Sequence, residues 1–261
     1  MQMSFELYNE DCVTVMDKMK PESVDLVVTS PPYWNQKEYS FWPTYRDYLV
    51  SVQQWVAGVA RILKPGRHCF WVIPDKLPWP PKENETGERL YMPIYSDTER
   101  IASECGLVCE FPIIWKKPHA TQKMFGSYPF PPTIIPSPST ERICFWRKLG
   151  KPDLANKSES SRFSSKEWTE WAQDLWEINP ETNSFHPAPF PKEIPYRMIK
   201  LWSFVEDTIF DPFTGSGTTG IVAMELDRNF VGAERNSRYY ARARQCIETA
   251  RDQLKMEIGE W

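Results

Sequence analysis

The segment from Asp207 to Gly220 constrains the fold more than any other. A branched-apolar run, Asp207–Asp211, leads into Gly215-Ser-Gly-Thr-Thr-Gly220, and an apolar helical pattern carrying Ile221, Val222, Met224 and Leu226 follows. A strand that turns into a helix over glycines belongs to a parallel sheet, because parallel neighbours need crossover helices. The same alternation recurs along the chain. Phe5–Tyr8, Val24–Thr29, His68–Ile73, Glu110–Trp115, Arg142–Trp146, Asp207–Asp211 and Asn229–Ala233 read as strands. Between them Tyr48, Leu49, Val52, Trp55, Val56, Val59, Ile62 and Leu63 fall at three-and-four spacing, which predicts a helix closed by Lys64-Pro-Gly66. Further helices are predicted over Thr98–Cys105 and from near Ser237, with Tyr240, Ala243, Ile247, Ala250 and Leu254 on the inner face. The expected fold class is α/β: a mostly parallel, doubly wound sheet of about seven strands with helices on both faces. Glu110–Trp115 and Arg142–Trp146 have no helix between them and are expected to form an antiparallel edge pair.

With 261 residues, 41% of them hydrophobic and 14% aromatic, the chain can bury a large core as a single domain, residues 1–261. No apolar run approaches the roughly 20 residues that span a bilayer, so no membrane partner is expected. The start, Met1-Gln-Met-Ser-Phe-Glu6, lacks signal-peptide blocks, and a cytoplasmic setting is expected. Six cysteines without paired metal-ligand spacing read as reduced core thiols, and no metal site is expected. The net charge of -4 disfavours a protein that coats nucleic acid. Positive charge is nonetheless dense at Lys116, Lys117, His119 and Lys123, and again at Arg142, Arg147, Lys148 and Lys151. Three long stretches interrupt the alternation: Asp75–Tyr95, Pro118–Thr140 and Gly150–Leu175. Loops of that length in a compact domain are usually functional or disordered.

Glycine at the turn lets backbone approach a ligand and take positive φ, and the first N–H groups of the following helix favour an anion. Asp211 adds a carboxylate that a plain phosphate cradle would not want; a ligand carrying both ammonium and carboxylate suits the turn better. The stretch also matches G-x-G-x-x-G, with Glu234 at the distance of a ribose-binding acid, so a nicotinamide dinucleotide site is a rival reading. A nucleoside triphosphate loop is excluded because Thr218 stands where Lys is required. The second notable element is Thr29-Ser-Pro-Pro-Tyr33, directly after a strand and hence at the carboxyl edge of the sheet. Two prolines fix φ and hold the preceding residues extended, making the Ser30 hydroxyl and the Ser30 and Pro31 carbonyls rigid acceptors. Such a corner suits a planar amine, with Tyr33 able to stack on its ring.

Together these residues resemble the amino-directed DNA methyltransferases, in the order where the catalytic half precedes the cofactor half. The resemblance runs through Asn9–Cys12, Thr29–Tyr33, Ile113–Lys116, Glu141–Lys148, His186–Pro191, Phe210–Thr219 and Val231–Glu234. It implies a permuted, Rossmann-like methyltransferase fold, S-adenosylmethionine as cofactor, and double-stranded DNA with a flipped target base as partner. It implies that Ser30, Pro31, Pro32 and Tyr33 form the catalytic corner, and that Asp211, Phe213, Thr214, Gly215, Gly217 and Thr218 hold the methionine part of the cofactor. Glu234 would take the ribose hydroxyls, Asp11 would lie near the adenine, and His186–Pro191 would complete the pocket. Lys37, Tyr39, Lys116 and Arg147 are candidate DNA contacts, and residues 118–140 and 150–175 are candidate target-recognition insertions. Ser before Pro-Pro-Tyr is usual among cytosine-N4 enzymes, so cytosine is favoured over adenine-N6. A homodimer, a cognate restriction endonuclease and a prokaryotic or viral setting fit the same resemblance. A nicotinamide-dependent oxidoreductase and a catalytically silent DNA-binding module remain the readings from other classes.

Overall fold

The structure, a computed structural model, describes residues 3–35, 40–79, 84, 86–88, 90–118, 130–131, 136, 138–154, 159–181 and 191–258. The elements in chain order are β1 (Phe5–Tyr8), α1 (Cys12–Lys18), β2 (Val24–Thr29), α2 (Tyr45–Ile62), β3 (Leu63–Ile73), the short pair β4 (Leu77–Trp79) and β5 (Leu90–Met92), and α3 (Ile94–Glu104). There follow β6 (Leu107–Cys109), β7 (Ile113–Lys116), β8 (Thr140–Lys148), α4 (Ser165–Trp171), β9 (Leu175–Glu177), α5 (Glu193–Trp202), β10 (Thr208–Asp211), α6 (Thr218–Glu225), β11 (Asn229–Ala233) and α7 (Ser237–Ile258).

The main sheet has the order β1-β11-β10-β2-β3-β8-β7-β9, with β6 also paired to β8. From β1 to β3 every neighbour is parallel. Strand β8 runs antiparallel to β3, β6 and β7. Both faces are covered, as a parallel sheet requires. Core residues of α1, α2 and α3 join Val24, Val27 and Trp71 on one face, while those of α5, α6 and α7 join Leu26, Val28 and Phe230 on the other. The α2 stripe is buried at Tyr48, Val52, Trp55, Val56, Val59 and Ile62, and its start is fixed by a capping box between Thr44 and Asp47.

Four boundaries differ from expectation, each for a local reason. Lys64-Pro-Gly66 does not end in a loop: Gly66 takes φ +73 and the chain enters β3 directly after α2. Helix α3 starts at Ile94, because its burial falls at Ile94, Thr98, Ile101 and Ala102 and the stripe begins a turn earlier. The expected strand Glu110–Trp115 begins only at Ile113, as β7, after Pro112, which lacks the N–H a ladder needs, and the separate strand β6 ends before Glu110. The antiparallel pairing of β7 with β8 is present, but β9 lies beyond it and forms the edge. No helix among the described residues is long and apolar enough to cross a membrane.

Candidate active site

Strands β2 and β10 are parallel neighbours, so the corner after β2 and the glycine turn after β10 emerge side by side at one end of the sheet. At the corner, Pro31 is buried and Ser30, Pro32 and Tyr33 are half-buried. The Ser30 hydroxyl lies 3.1 Å from the Tyr33 hydroxyl and donates to the Val72 carbonyl at 3.2 Å. The Tyr33 hydroxyl reaches the same carbonyl at 3.2 Å and Glu141 Oε2 at 3.4 Å. Burial, and next the Glu141 charge, hold the Tyr33 phenol well above its ordinary pKa, so it stays protonated. The ring is therefore anchored at its polar end.

In the turn, Gly215 and Gly217 take φ +53 and +87, and Gly217 caps α6 without any side-chain hydrogen bond. The first N–H groups of α6 thus lack a capping side chain and suit an anionic ligand group. Thr214 Oγ1 donates to the Asp211 carbonyl at 3.1 Å, Ser216 and Thr218 hydroxyls meet at 3.0 Å, and Phe213 packs edge-on against Trp55 and Trp71. Glu234, half-buried at the end of β11, accepts from Gly215 N at 3.0 Å and Asn236 N at 2.8 Å. Burial raises its pKa. Each of its oxygens keeps a free lone pair for a ribose hydroxyl. Asn9 ties β1 to this place, donating to the Glu234 carbonyl at 2.8 Å. The exposed Asp11 caps α1, accepting from Val13 N at 2.9 Å through one oxygen.

Asp211 departs from the sequence reading, which aimed its carboxylate at the ligand. It is buried and turned inward: Oδ1 accepts from Thr29 Oγ1 at 2.6 Å and Phe213 N at 3.0 Å, and Oδ2 from Thr219 Oγ1 at 2.8 Å. Burial outweighs these hydrogen bonds and lifts its pKa to about 6. Its place is to bolt the end of β2 to the glycine turn. A second bridge is aromatic: Trp34, Tyr45, Tyr48, Trp55 and Phe213 form a chain of ring contacts with centroids 4.9–6.3 Å apart, linking corner to turn.

Lys116 ends β7 on the site's side of the sheet and pairs with Glu177 at 2.5 Å. Arg147 does not belong with it. Ser30 is level with Val72, whose β8 partner is Ile143; Arg147 sits four positions further along β8, about 13 Å down the strand, and is paired with Glu110. Lys37, Tyr39 and residues 182–190, including His186, lie outside the described residues, as do most of 118–140. That insertion leaves β7 and enters β8 at the site's end, where Lys116 pairs with Thr140. The other insertion, 150–175, begins at the opposite end, where Pro152 crowds Gly66 and the Ser161 hydroxyl accepts from Val205 N at 2.8 Å. It then climbs through α4 to β9, four strands from β2 and roughly 19 Å away.

The motifs assign no role to Thr29, Thr219 or Glu141, and Lys117 has only its place in a basic cluster. The two threonines lie inside the recognised motifs, so a buried Asp211 was the signal that could have found them. Burial raises the thiol pKa of Cys12, Cys69, Cys105, Cys109 and Cys144, which keeps them protonated and unfit as nucleophiles.

An open α/β sheet that sets a polar corner beside a helix-opening glycine turn, where the strand order reverses, places both at the edge where ligands of such folds bind. The N6/N4 family model, described as DNA methylase, matches residues 24–245. The chain is 31% identical over 259 residues to the type II methyltransferase M.MjaI of Methanocaldococcus jannaschii, covering 84% of this chain and 83% of that protein. It is 27% identical to M.BglII of Bacillus subtilis, over 95% of this chain and 70% of that one. The Thermus thermophilus protein TTHA0409, solved with S-adenosyl-L-methionine, superposes with a TM-score of 0.80 at 28% identity, covering 94% of both chains. The cytosine-N4-specific PvuII DNA methyltransferase shares the fold at a TM-score of 0.68 and 20% identity, over 97% of this chain and 93% of that one. The chain belongs to the N6/N4 DNA methylase family.

Proposed function

We propose that the protein transfers a methyl group from S-adenosylmethionine to the exocyclic N4 amine of cytosine in double-stranded DNA, as the modification enzyme of a type II system. The observation that carries this reading is the hydroxyl corner, Ser30 with Tyr33 and the Val72 carbonyl, standing beside the glycine turn through the Thr29–Asp211 bridge. The residues of the turn fit the donor: uncapped N–H groups of α6 for its carboxylate, Glu234 for its ribose, and Asp11 near its adenine. When bound, the donor supplies an electrophilic sulfonium methyl. Ser30 and the Pro31 carbonyl accept the hydrogens of the amine, fixing the nitrogen and favouring its pyramidal form, and the proton that the methylated nitrogen sheds passes to water. Orientation at this corner supplies most of the rate, because no strong base or thiolate is required. Tyr33 holds the base ring after the nucleotide has left the duplex stack. Lys37, Tyr39, Lys116 and residues 118–140 contact the DNA around it.

The test is methyl transfer from radiolabelled donor to defined duplexes, with product nucleosides separated by mass spectrometry. N4-methylcytosine is expected. N6-methyladenine would transfer the assignment to the other base of the family, and methyl on a ring carbon would overturn the corner's role.

A further inference from the structure

Next to the catalytic corner stands a charged pair that none of the roles above uses. Glu141, near the start of β8, and Lys117, just past β7, form an ion pair in which both side chains are largely shielded, with 18% and 22% of their surface exposed. Lys117 also lies 4.3 Å from the centre of the Trp115 ring. The other Glu141 oxygen faces the Tyr33 hydroxyl at 3.4 Å. The three acceptors around the single Tyr33 hydrogen are thus Glu141 Oε2, the Val72 carbonyl at 3.2 Å and Ser30 Oγ at 3.1 Å. Where that hydrogen goes decides what Ser30 can do.

We propose that Glu141 is a positioning residue for methyl transfer: it draws the Tyr33 hydrogen to itself, so that Ser30 presents its lone pairs to the target amine. An ionised acceptor makes the stronger bond, and the carboxylate offsets its longer distance by its charge. With the Tyr33 hydrogen so engaged, the Val72 carbonyl is left to Ser30, whose own hydrogen points inward and whose acceptor face points out. Lys117 pairs with the second carboxylate oxygen and holds it in place. A neutral group in place of Glu141 returns the Tyr33 hydrogen to Val72, and Ser30 must turn its hydrogen toward Tyr33 or toward the incoming amine. The same contact holds the Tyr33 ring, so the base platform and the acceptor are set by one carboxylate.

The inference rests on the methyl-transfer reading, and the experiment separates the two. Single-turnover transfer is measured for wild type, Glu141→Gln, Tyr33→Phe and the double variant, with donor affinity from calorimetry and folding from thermal melts. Glu141→Gln is expected to slow transfer about tenfold to hundredfold while leaving donor affinity within about twofold. Tyr33→Phe is expected to slow it less, because it removes the competing hydrogen and loosens only the ring, and the double variant to be no more than about threefold slower than Tyr33→Phe alone, because Glu141 acts through that hydroxyl. An unchanged rate in Glu141→Gln, or losses that multiply in the double variant, overturns the inference while methyl transfer stands. If Glu141→Gln fails to fold, Glu141→Asp takes its place, its carboxylate one methylene short of Tyr33, and an unchanged rate there overturns the inference. Wild-type protein that binds no donor and methylates no duplex overturns the functional reading and the inference with it.

Discussion

Asp211 shows how one residue sets both stability and geometry. Its folded pKa, about 6, lies above the ordinary 3.8, so the folded chain holds this proton more tightly than the unfolded chain does. The contribution to stability is therefore greatest below the unfolded value and is lost as pH rises through about 6; at neutral pH the buried anion costs on the order of 3 kcal/mol. Asp211→Asn keeps the shape and removes the titration. Relative to wild type its melting temperature is expected to rise between about pH 4 and about pH 6 and to level off above that, read from paired thermal melts. Parallel curves would show that this carboxylate is not strained by burial. Ser30 belongs to the same scale with the opposite signature. Ser30→Ala is expected to lower transfer about a hundredfold with unchanged donor affinity and stability, since its hydroxyl contacts only the corner. Both residues stand out in the sequence, and the structure turns the Asp211 carboxylate inward while the Ser30 hydroxyl meets Tyr33 and Val72. A motif names the residue and not the direction of its side chain, and the inward turn of Asp211 depends on Thr29, distant by 182 positions.

At the scale of elements, α6 is held where it is by glycines whose neighbours leave no room. A Cβ on Gly217 would lie 3.2 Å from Ala243 of α7, and its φ of +87 is costly for any L residue. Gly217→Ala is expected to lose about 1–3 kcal/mol in urea denaturation and to weaken donor binding in calorimetry, because the N–H groups opening α6 shift with it. Gly220 faces Ile247 and Phe230 instead, so its replacement by Ala reports on packing of α6 against α7 and β11. A Gly217→Ala variant with native affinity would remove that turn from the donor site. These elements were legible because the apolar period changes from two to three-and-four at the glycines, and the α2 stripe was legible for the same reason. Pairing across the sheet was less so. Arg147 shares a charged cluster with Arg142 in sequence, but strand β8 carries the two to opposite ends of its ladder with β3, from Ile73 down to His68. Sequence proximity along a strand is spatial separation, at about 3.3 Å for each residue. Glu141 was hidden for the converse reason: its partner Tyr33 is 108 positions away and meets it only after β8 has docked beside β3.

The molecule as a whole joins two half-sites that have no bond between them in sequence, and the join runs through one buried hydrogen-bonded carboxylate and a line of rings. Thr29 ends the strand that leads into the Ser30–Tyr33 corner; Asp211 ends the strand that leads into the Gly215–Gly217 turn; Thr219 stands on the helix behind it. Thr29→Val removes a single hydroxyl while preserving shape. It leaves a buried carboxylate oxygen short of a donor, a loss of about 1–3 kcal/mol. It also drives the Asp211 pKa further upward, since the Thr29 hydrogen bond is the largest influence holding it down. The functional consequence differs in kind from that of Ser30→Ala. A change confined to the corner slows transfer alone, whereas loosening the bridge lets the corner and the turn move relative to each other, so transfer and donor affinity fall together. Calorimetry with S-adenosylmethionine and single-turnover transfer on the same preparations read the two effects. A Thr29→Val protein with native donor affinity and a slowed reaction would place Thr29 with the corner alone. Native values of both would show that the aromatic line from Trp34 to Phe213 suffices to hold the halves in register.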